Sequence, residues 1–324
     1  MKTKPILWLI PVMFLFFAGA APADTDREYG EVAVDETFSD IEIVRLNTVS
    51  GDCELSPAKD DRVSLEVISS YRPRDNFEAI YRVKGKTLIL KEEFEGSTRG
   101  NANWKLAIPP GTKIKFSTAS GNFEAEDMTT DIDVETASGD IELIQCEGAF
   151  EIETASGNIT LDNCRGEIDI ETASGDIDTR DCYGRLDLGT ASGDVELDGC
   201  TGEFSAGTAS GDIDARDIII EDASTFDAAS GDVYVLLAKT PEHDLQLSTA
   251  SGRAVLDYNG HPLKGFFEFT ARLKNGDIDA PYKFEHTEEI ERHDQEYIRK
   301  SFTLDSDTPE IIMETASGRV SLEK

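Results

Sequence analysis

The sequence predicts an all-β fold: a parallel β-solenoid of two-sheeted coils of about 18 residues, with an irregular N-terminal cap and a C-terminal lateral excursion. Three observations predict it. Thr-Ala-Ser-Gly recurs at 118–121, 136–139, 154–157, 172–175, 190–193 and 208–211, so Gly121, Gly139, Gly157, Gly175, Gly193 and Gly211 are spaced by 18 residues throughout. A fixed period of this kind marks stacked units, not one rounded core. Between the glycines, apolar and polar residues alternate with period two, as in Ile141-Glu142-Leu143, the pattern of a half-buried strand. A second glycine follows nine residues after the first, at Gly148, Gly166, Gly184 and Gly202, so each unit is two halves, each a tight turn and a short strand. Strands so short cannot bury a face alone, but equivalent strands stacked ~4.8 Å apart can. An antiparallel meander of hairpins competes with this arrangement; the strict register favours whole coils, since hairpins tolerate drift. Roughly ten motif copies make a rod of ~45–50 Å at that rise.

The chain divides accordingly. Residues 1–23 have a basic start (Lys2, Lys4), an apolar run from Ile6 to Phe17 and the small residues Ala18-Gly19-Ala20 and Ala21-Pro22-Ala23, which is the layout of a secretory signal peptide. The apolar run is shorter than the ~20 residues of a spanning helix, so an uncleaved anchor is the weaker reading and no transmembrane span is expected after cleavage. Residues 24–116 hold strand-like runs such as Val63-Ser64-Leu65-Glu66-Val67 without the strict period, and one early relative of the motif, Thr48-Val49-Ser50-Gly51; they are expected to form degenerate first coils and a cap. Residues 117–252 are the regular solenoid. Residues 253–324 interrupt the period with a charged stretch, expected as a lateral excursion, and return at Thr315 to Gly318 as a closing coil. Caps are expected because open strand edges invite aggregation.

The hexapeptide Thr-Ala-Ser-Gly-Asp-Ile, preceded by Trp104-Lys105-Leu106-Ala107-Ile108-Pro109-Pro110-Gly111, resembles the bacterial putative-adhesin family of otherwise unknown function. The resemblance covers roughly residues 35–324. It implies an exported or envelope β-solenoid and carries over no catalytic residue.

Charge narrows the function classes. The 324-residue chain has 65 acidic against 31 basic residues, a net charge of −34. That excludes a nucleic-acid partner, which needs clustered Lys and Arg, and disfavours an anionic membrane surface. Residues 117–237 contain 30 acids against 4 arginines and no lysine, so the acid belongs to the repeats. One column of equivalent positions reads Asn122, Asp140, Asn158, Asp176, Asp194, Asp212; two residues on, another reads Glu124, Glu142, Thr160, Asp178, Glu196, Asp214. The second strand adds Asp133, Glu151, Asp169 and Glu135, Glu153, Glu171. Like charges stacked ~5 Å apart in water repel by about 1 kcal/mol per pair before screening. Bound cations or a cationic partner would relieve that, and Ca²⁺ suits clustered carboxylates. The metal candidates are therefore Asp140, Glu142, Asp176, Asp178, Asp194, Glu196, Asp212 and Asp214, set against a simple solvated face; the Gly-Gly-x-Gly-x-Asp turns of calcium-binding β-rolls are absent. No other cofactor is expected.

Cys146, Cys164, Cys182 and Cys200 occupy one position in four successive units. Met128 and Ile218 hold the same position on either side, which points to an inward apolar slot and a ladder of buried thiols, with disulfides or a metal as alternatives. Cys53 lies in a different register. His243, His261, His286 and His293 lie outside the regular coils without metal-ligand spacing, and no nucleophile motif accompanies them. Phe266, Phe267, Phe269, Tyr282 and Phe284 either pack the excursion onto the rod or line a groove. The expected function is an exported, non-catalytic binding or scaffolding module at the cell envelope, in the periplasm, at the cell surface or outside the cell, holding an envelope protein or a glycan. A polysaccharide-acting β-helix enzyme and a calcium-dependent structural rod are the alternatives.

Overall fold

Between two corner glycines the alternating residues form two strands, as in Ile141–Ile144 and Glu147–Thr154. The first pairs in parallel with Phe123–Glu126 and Ile159–Asp162, the second with Ile132–Thr136 and Arg165–Thr172, each partner offset by one repeat. Every regular strand thus lies between its equivalents in the neighbouring coils, which is a parallel β-solenoid. The structure, a computed structural model, describes residues 30–324; the expected signal peptide over 1–23 lies outside the described residues. No α-helix occurs among the described residues, and a 3₁₀ turn spans Arg74–Asn76.

The alternation decides what is buried. Ile141, Leu143, Ile159, Leu161, Val195 and Leu197 point inward from one sheet and meet Ile132, Val134, Phe150, Ile152, Ile168 and Ile170 from the other, all essentially inaccessible. Two corners join the sheets. At one, Asp127, Gln145, Asn163, Asp181, Gly199 and Asp217 adopt φ of 50–67°, the left-handed region that turns the chain sharply and that Asn, Asp and Gly tolerate best. The other is the Thr-Ala-Ser-Gly corner, where coils approach so closely that a Cβ on Gly157 would lie 1.8 Å from the carbonyl oxygen of Gly139. Only glycine fits there.

At both ends, order along the rod departs from order along the chain. Ile43–Asn47 lies between Thr87–Phe94 and Lys113–Thr118, and Asp52–Pro57 lies between Ala102–Ile108 and Phe123–Glu126. The first coil of the chain is therefore the second rung of the rod. The outer rung is covered by antiparallel strands: Arg62–Ser69 pairs with Ala102–Ile108, Glu31–Ser39 adds to Arg62–Ser69, and Phe77–Lys84 pairs with Thr87–Phe94. Glu92 closes the corner column here, its carboxylate accepting the amide N–H of Val49 at 2.7 Å.

The other end repeats the device. Glu310–Glu323 pairs in parallel with Leu245–Asp257 on one side and with Gly265–Arg272 and Gly276–Asp279 on the other. The expectation of an excursion followed by a closing coil needs correction on this point. Residues 265–279 make the outermost coil, and 310–323 slots in behind it. The physical reason is the glycine register. Gly318 stacks on Gly252, where a Cβ would come within 1.8 Å of its carbonyl oxygen, whereas 265–279 lacks the full corner motif and takes the end position. Antiparallel Gln295–Leu304 and His286–Arg292 then cover its edge, and the charged sequence of the last strand discourages further pairing. The aromatics of this region form the core of the cap. Phe267 and Phe269 are buried and stack on Phe302 with ring centroids 5.0 and 5.8 Å apart, and Tyr282 and Phe284 pack on the same ring.

Candidate functional site

Each Thr-Ala-Ser-Gly corner turns its threonine inward and leaves alanine and serine outside. The hydroxyls of Thr190 and Thr208 donate to the carbonyls of Gly175 and Gly193 at 3.1 and 3.0 Å. Ser138 and Ser156 donate to the carbonyls of Ala119 and Ala137 in the preceding coil. The residue after the glycine has a different job. Its side-chain oxygen accepts the backbone N–H of the same residue in the next coil: Asp140 N–H to Asn122 Oδ1 at 3.0 Å, Asn158 to Asp140 at 2.9 Å, Asp176 to Asn158 at 3.2 Å, Asp194 to Asp176 at 3.0 Å, Asp212 to Asp194 at 2.8 Å and Asp232 to Asp212 at 2.7 Å. Arg253 ends the ladder, its amide donating to Asp232 Oδ1 and its guanidinium to Oδ2. The column begins at Asp52, which accepts from Asn122 N–H at 2.9 Å.

This ladder changes the meaning of the first acidic column. These residues sit at the corner just before each strand, and not within the strand as the sequence pattern suggests. An amide serves there as well as a carboxylate, so the common requirement is a side-chain carbonyl oxygen, with negative charge as a by-product. Asp140, Asp176, Asp194 and Asp212 each commit one oxygen to a neighbouring coil.

The partner candidates Glu142, Asp178, Glu196 and Asp214 form the column two residues on, on the outer face of the same sheet. Asp214 is paired with Arg216 at 2.7 Å. Burial, and then the carboxylate of Asp178, raise the pKa of Glu196 above the usual carboxyl range. Burial followed by Glu54, Glu142 and Asp52 does the same for Glu124. Among the described residues no group of three or more His, Cys, Asp and Glu side chains is arranged to hold a metal ion.

Concavity lies on the other sheet, beside the corner. A groove of ≈ 720 Å³ runs from Asn47 past Glu135, Glu153 and Glu171 to Ala191, and a second stretch of ≈ 630 Å³ continues from Glu171 and Ala191 to Ala250. The two share Glu171, Thr172 and Ala191 and form one shallow, open trough along the rod. Its far side is the row of exposed alanines, among them Ala137, Ala155, Ala173 and Ala209. Glu135, Glu153 and Glu171 form no ion pair among the described residues, unlike Asp131 and Asp133 on the same sheet, which pair with Lys113 and Lys115. The carboxylate wall stops at Gly189 and Gly207, the next two members of the column.

The five cysteines are free and buried. Cys146, Cys164, Cys182 and Cys200 donate to backbone carbonyls of the inner turn, as in Cys146 to Ile144 at 3.3 Å. The stacked Cys164, and then burial, push the thiol of Cys146 up; the stacked Cys164 and Cys200, and then burial, do so for Cys182. Burial does so for Cys53, which packs against Phe123 and Trp104 in a different column. His243, His286 and His293 are exposed and His261 is half-buried; His286 and His293 are seven residues apart at the start and turn of one hairpin, and no metal-holding group forms around any of the four among the described residues. Sequence patterning identified the columns but missed two features. The acceptor role of the Asp/Asn column was signalled by Asn122 and Asn158. The groove was signalled only by an exposed alanine repeating without any core to fill.

Residues 37–180 and 182–265 match the family model described as Toastrack DUF4097. Solved structures similar to the chain include a putative cell adhesion protein from Clostridium sporogenes, 13% identical, covering 90% of this chain and 99% of that chain with a TM-score of 0.23. A putative lipid binding protein from Parabacteroides distasonis is 14% identical over 91% of this chain and 97% of that one, with a TM-score of 0.38. A putative adhesin from Bacteroides fragilis is 9% identical over 89% and 96%, with a TM-score of 0.33. No curated protein matches the chain.

Proposed function

The chain belongs to the Toastrack DUF4097 family, a β-solenoid family without an established function, and on that premise we propose that it is an exported, non-catalytic binding or scaffolding module of the cell envelope, adhesin-like in engaging an envelope protein or glycan along its length. The observation that carries this reading is the continuous groove beside the Thr-Ala-Ser-Gly corner. It repeats the same few side chains coil after coil, which suits extended contact with a long partner. A reaction centre, by contrast, gathers unlike groups at one point. The signal-like start supports export, and the net charge of −34 directs the rod away from polyanions. No helix among the described residues is long and apolar enough to cross a membrane.

The test is capture. The chain without residues 1–23, immobilised and exposed to envelope extract at physiological salt, is expected to retain a discrete protein or glycan. Retention no greater than that of an unrelated protein of equal charge would remove the binding reading. Release of reducing ends or unsaturated sugars from a polysaccharide panel would replace it with the enzyme. A melting transition raised by millimolar Ca²⁺ and lowered by chelator would make the chain a calcium-dependent rod; no shift is expected, because the corner carboxylates already serve as backbone acceptors.

A further inference from the structure

Two glycines in the groove have no structural reason to be glycine. At the corner, Gly157 is forced by backbone contact at 1.8 Å. Gly189 and Gly207 lie within strands at ordinary negative φ, and a Cβ on either would meet nothing nearer than 3.8 and 4.0 Å. A glycine inside a strand weakens it relative to alanine, and marks a place where a ligand or another backbone approaches closely when nothing else explains it. These two stand side by side on adjacent coils and open the carboxylate wall between Glu171 on one side and Asp227 on the other.

The two halves also differ beneath the groove floor. The hydroxyls of Thr136, Thr154 and Thr172 lie inward of the groove floor, inaccessible from it, and make no hydrogen bond among the described residues, while those of Thr190 and Thr208 beside the glycines are satisfied.

From these features we infer that the groove is a binding site for an extended basic polypeptide segment, whose backbone lies against Gly189 and Gly207 and whose Lys or Arg side chains reach Glu135, Glu153 and Glu171. This rests on the binding reading above and names its site and partner chemistry. Charge complementarity selects a cation: the three glutamates form no ion pair among the described residues, whereas Asp131 and Asp133 pair with Lys113 and Lys115, and their stacking is repulsive until a cation arrives. Shape selects a chain. From the coil of Thr48 to that of Thr249 the trough is about 38 Å long at ~4.8 Å per coil, room for about twelve extended residues. No aromatic ring lines either stretch, so a sugar would find no stacking platform. Carboxylates repeating at ~4.8 Å do not match the ~6.8 Å between like-facing residues of an extended strand, so flexible lysine stems fit better than fixed bidentate pairs.

The probe is a fluorescent peptide of about twelve residues alternating Lys and Thr. Its affinity is measured by anisotropy for the native chain and three variants: Glu135→Gln/Glu153→Gln/Glu171→Gln in the groove, Gly189→Thr/Gly207→Thr across the bare patch, and Glu142→Gln/Asp178→Gln/Glu196→Gln on the opposite sheet. The expected result is about a tenfold loss for each groove variant and less than about twofold for the opposite-sheet variant, with circular dichroism and melting confirming that all are folded. The glycine variant should melt no lower than the native chain, since its added side chains have room. Equal losses from both glutamine variants would reduce the interaction to bulk charge attraction and overturn the site. Undiminished binding to the glycine variant would overturn the close approach. Binding of a neutral oligosaccharide, blocked by the same groove variants, would overturn the polypeptide. Failure of the peptide while envelope capture persists would sink this inference and leave the binding module standing; failure of both would sink both.

Discussion

The middle of the rod and its two ends solve one problem by opposite means. In the middle, each coil is followed in space by the next coil in sequence, and identical columns satisfy identical needs: glycine against glycine, Asp or Asn oxygen against backbone N–H, apolar against apolar. At the ends a late or early segment is inserted one rung inside, and antiparallel strands cover what remains. The middle is therefore modular and its length adjustable. The ends are singular, because each inserted strand satisfies two neighbours at once.

The largest expected effect follows from that contrast. Deleting residues 158–175, one whole coil, joins Gly157 to Asp176 and recreates the native Gly-Asp junction, so the shortened rod should fold and melt within a few degrees of the native chain. Deleting 310–324 removes a strand with partners on both sides and should strip protection from 245–279, seen as rapid proteolysis and aggregation. A coil deletion as damaging as the end deletion would mean the coils are not interchangeable.

Next in size is a glycine pair. Gly157→Ala forces a Cβ into a neighbouring carbonyl and should destabilise by about 3 kcal/mol or more in denaturant titration. Gly189→Ala, only two coils away, should be neutral or stabilising by up to about 1 kcal/mol. Comparable losses at both would erase the distinction between forced and free glycines on which the groove reading depends.

A smaller effect separates charge from hydrogen bonding in the corner column. Asp194→Asn keeps the acceptor for Asp212 N–H and should be nearly silent, whereas Asp194→Ala should cost about 1 kcal/mol. The reverse ranking would make the column an electrostatic device after all.

How much of this was legible in the sequence follows from range. The columns were readable because an 18-residue period places equivalent residues together whatever the corner geometry. Asn122 and Asn158 already hinted that position 140 needs an oxygen more than a charge. The inserted rungs were not readable: Gly318 finds Gly252 across an interruption, and local pattern says nothing about which segment reaches a slot first. The groove was hidden too, because concavity depends on how tightly the corner folds. Gly189 and Gly207 showed in the sequence only as lapses in an acidic column.

The smallest effect concerns pH. Burial and Asp178 hold the carboxyl of Glu196 above its ordinary range, so the folded state keeps this proton more tightly than the unfolded chain, and stability is lost as pH rises through that range. Glu196→Gln should therefore raise the unfolding free energy in denaturant titration at pH 7 more than at pH 3, by a few tenths of a kcal/mol after solvent screening. A gain that is the same at both values would assign it to something other than titration.

The order of rungs at the C-terminal end tests the contrast between middle and ends most directly. Ser251 and Ser317 are register partners on adjacent strands, and Asn275 lies on the far side of the inserted strand. Ser251→Cys and Ser317→Cys, introduced together, should be joined within one molecule by a short thiol-specific cross-linker, while Ser251→Cys with Asn275→Cys should not. Efficient linkage of the second pair and failure of the first would place 265–279 directly on 245–257 and contradict the inserted rung.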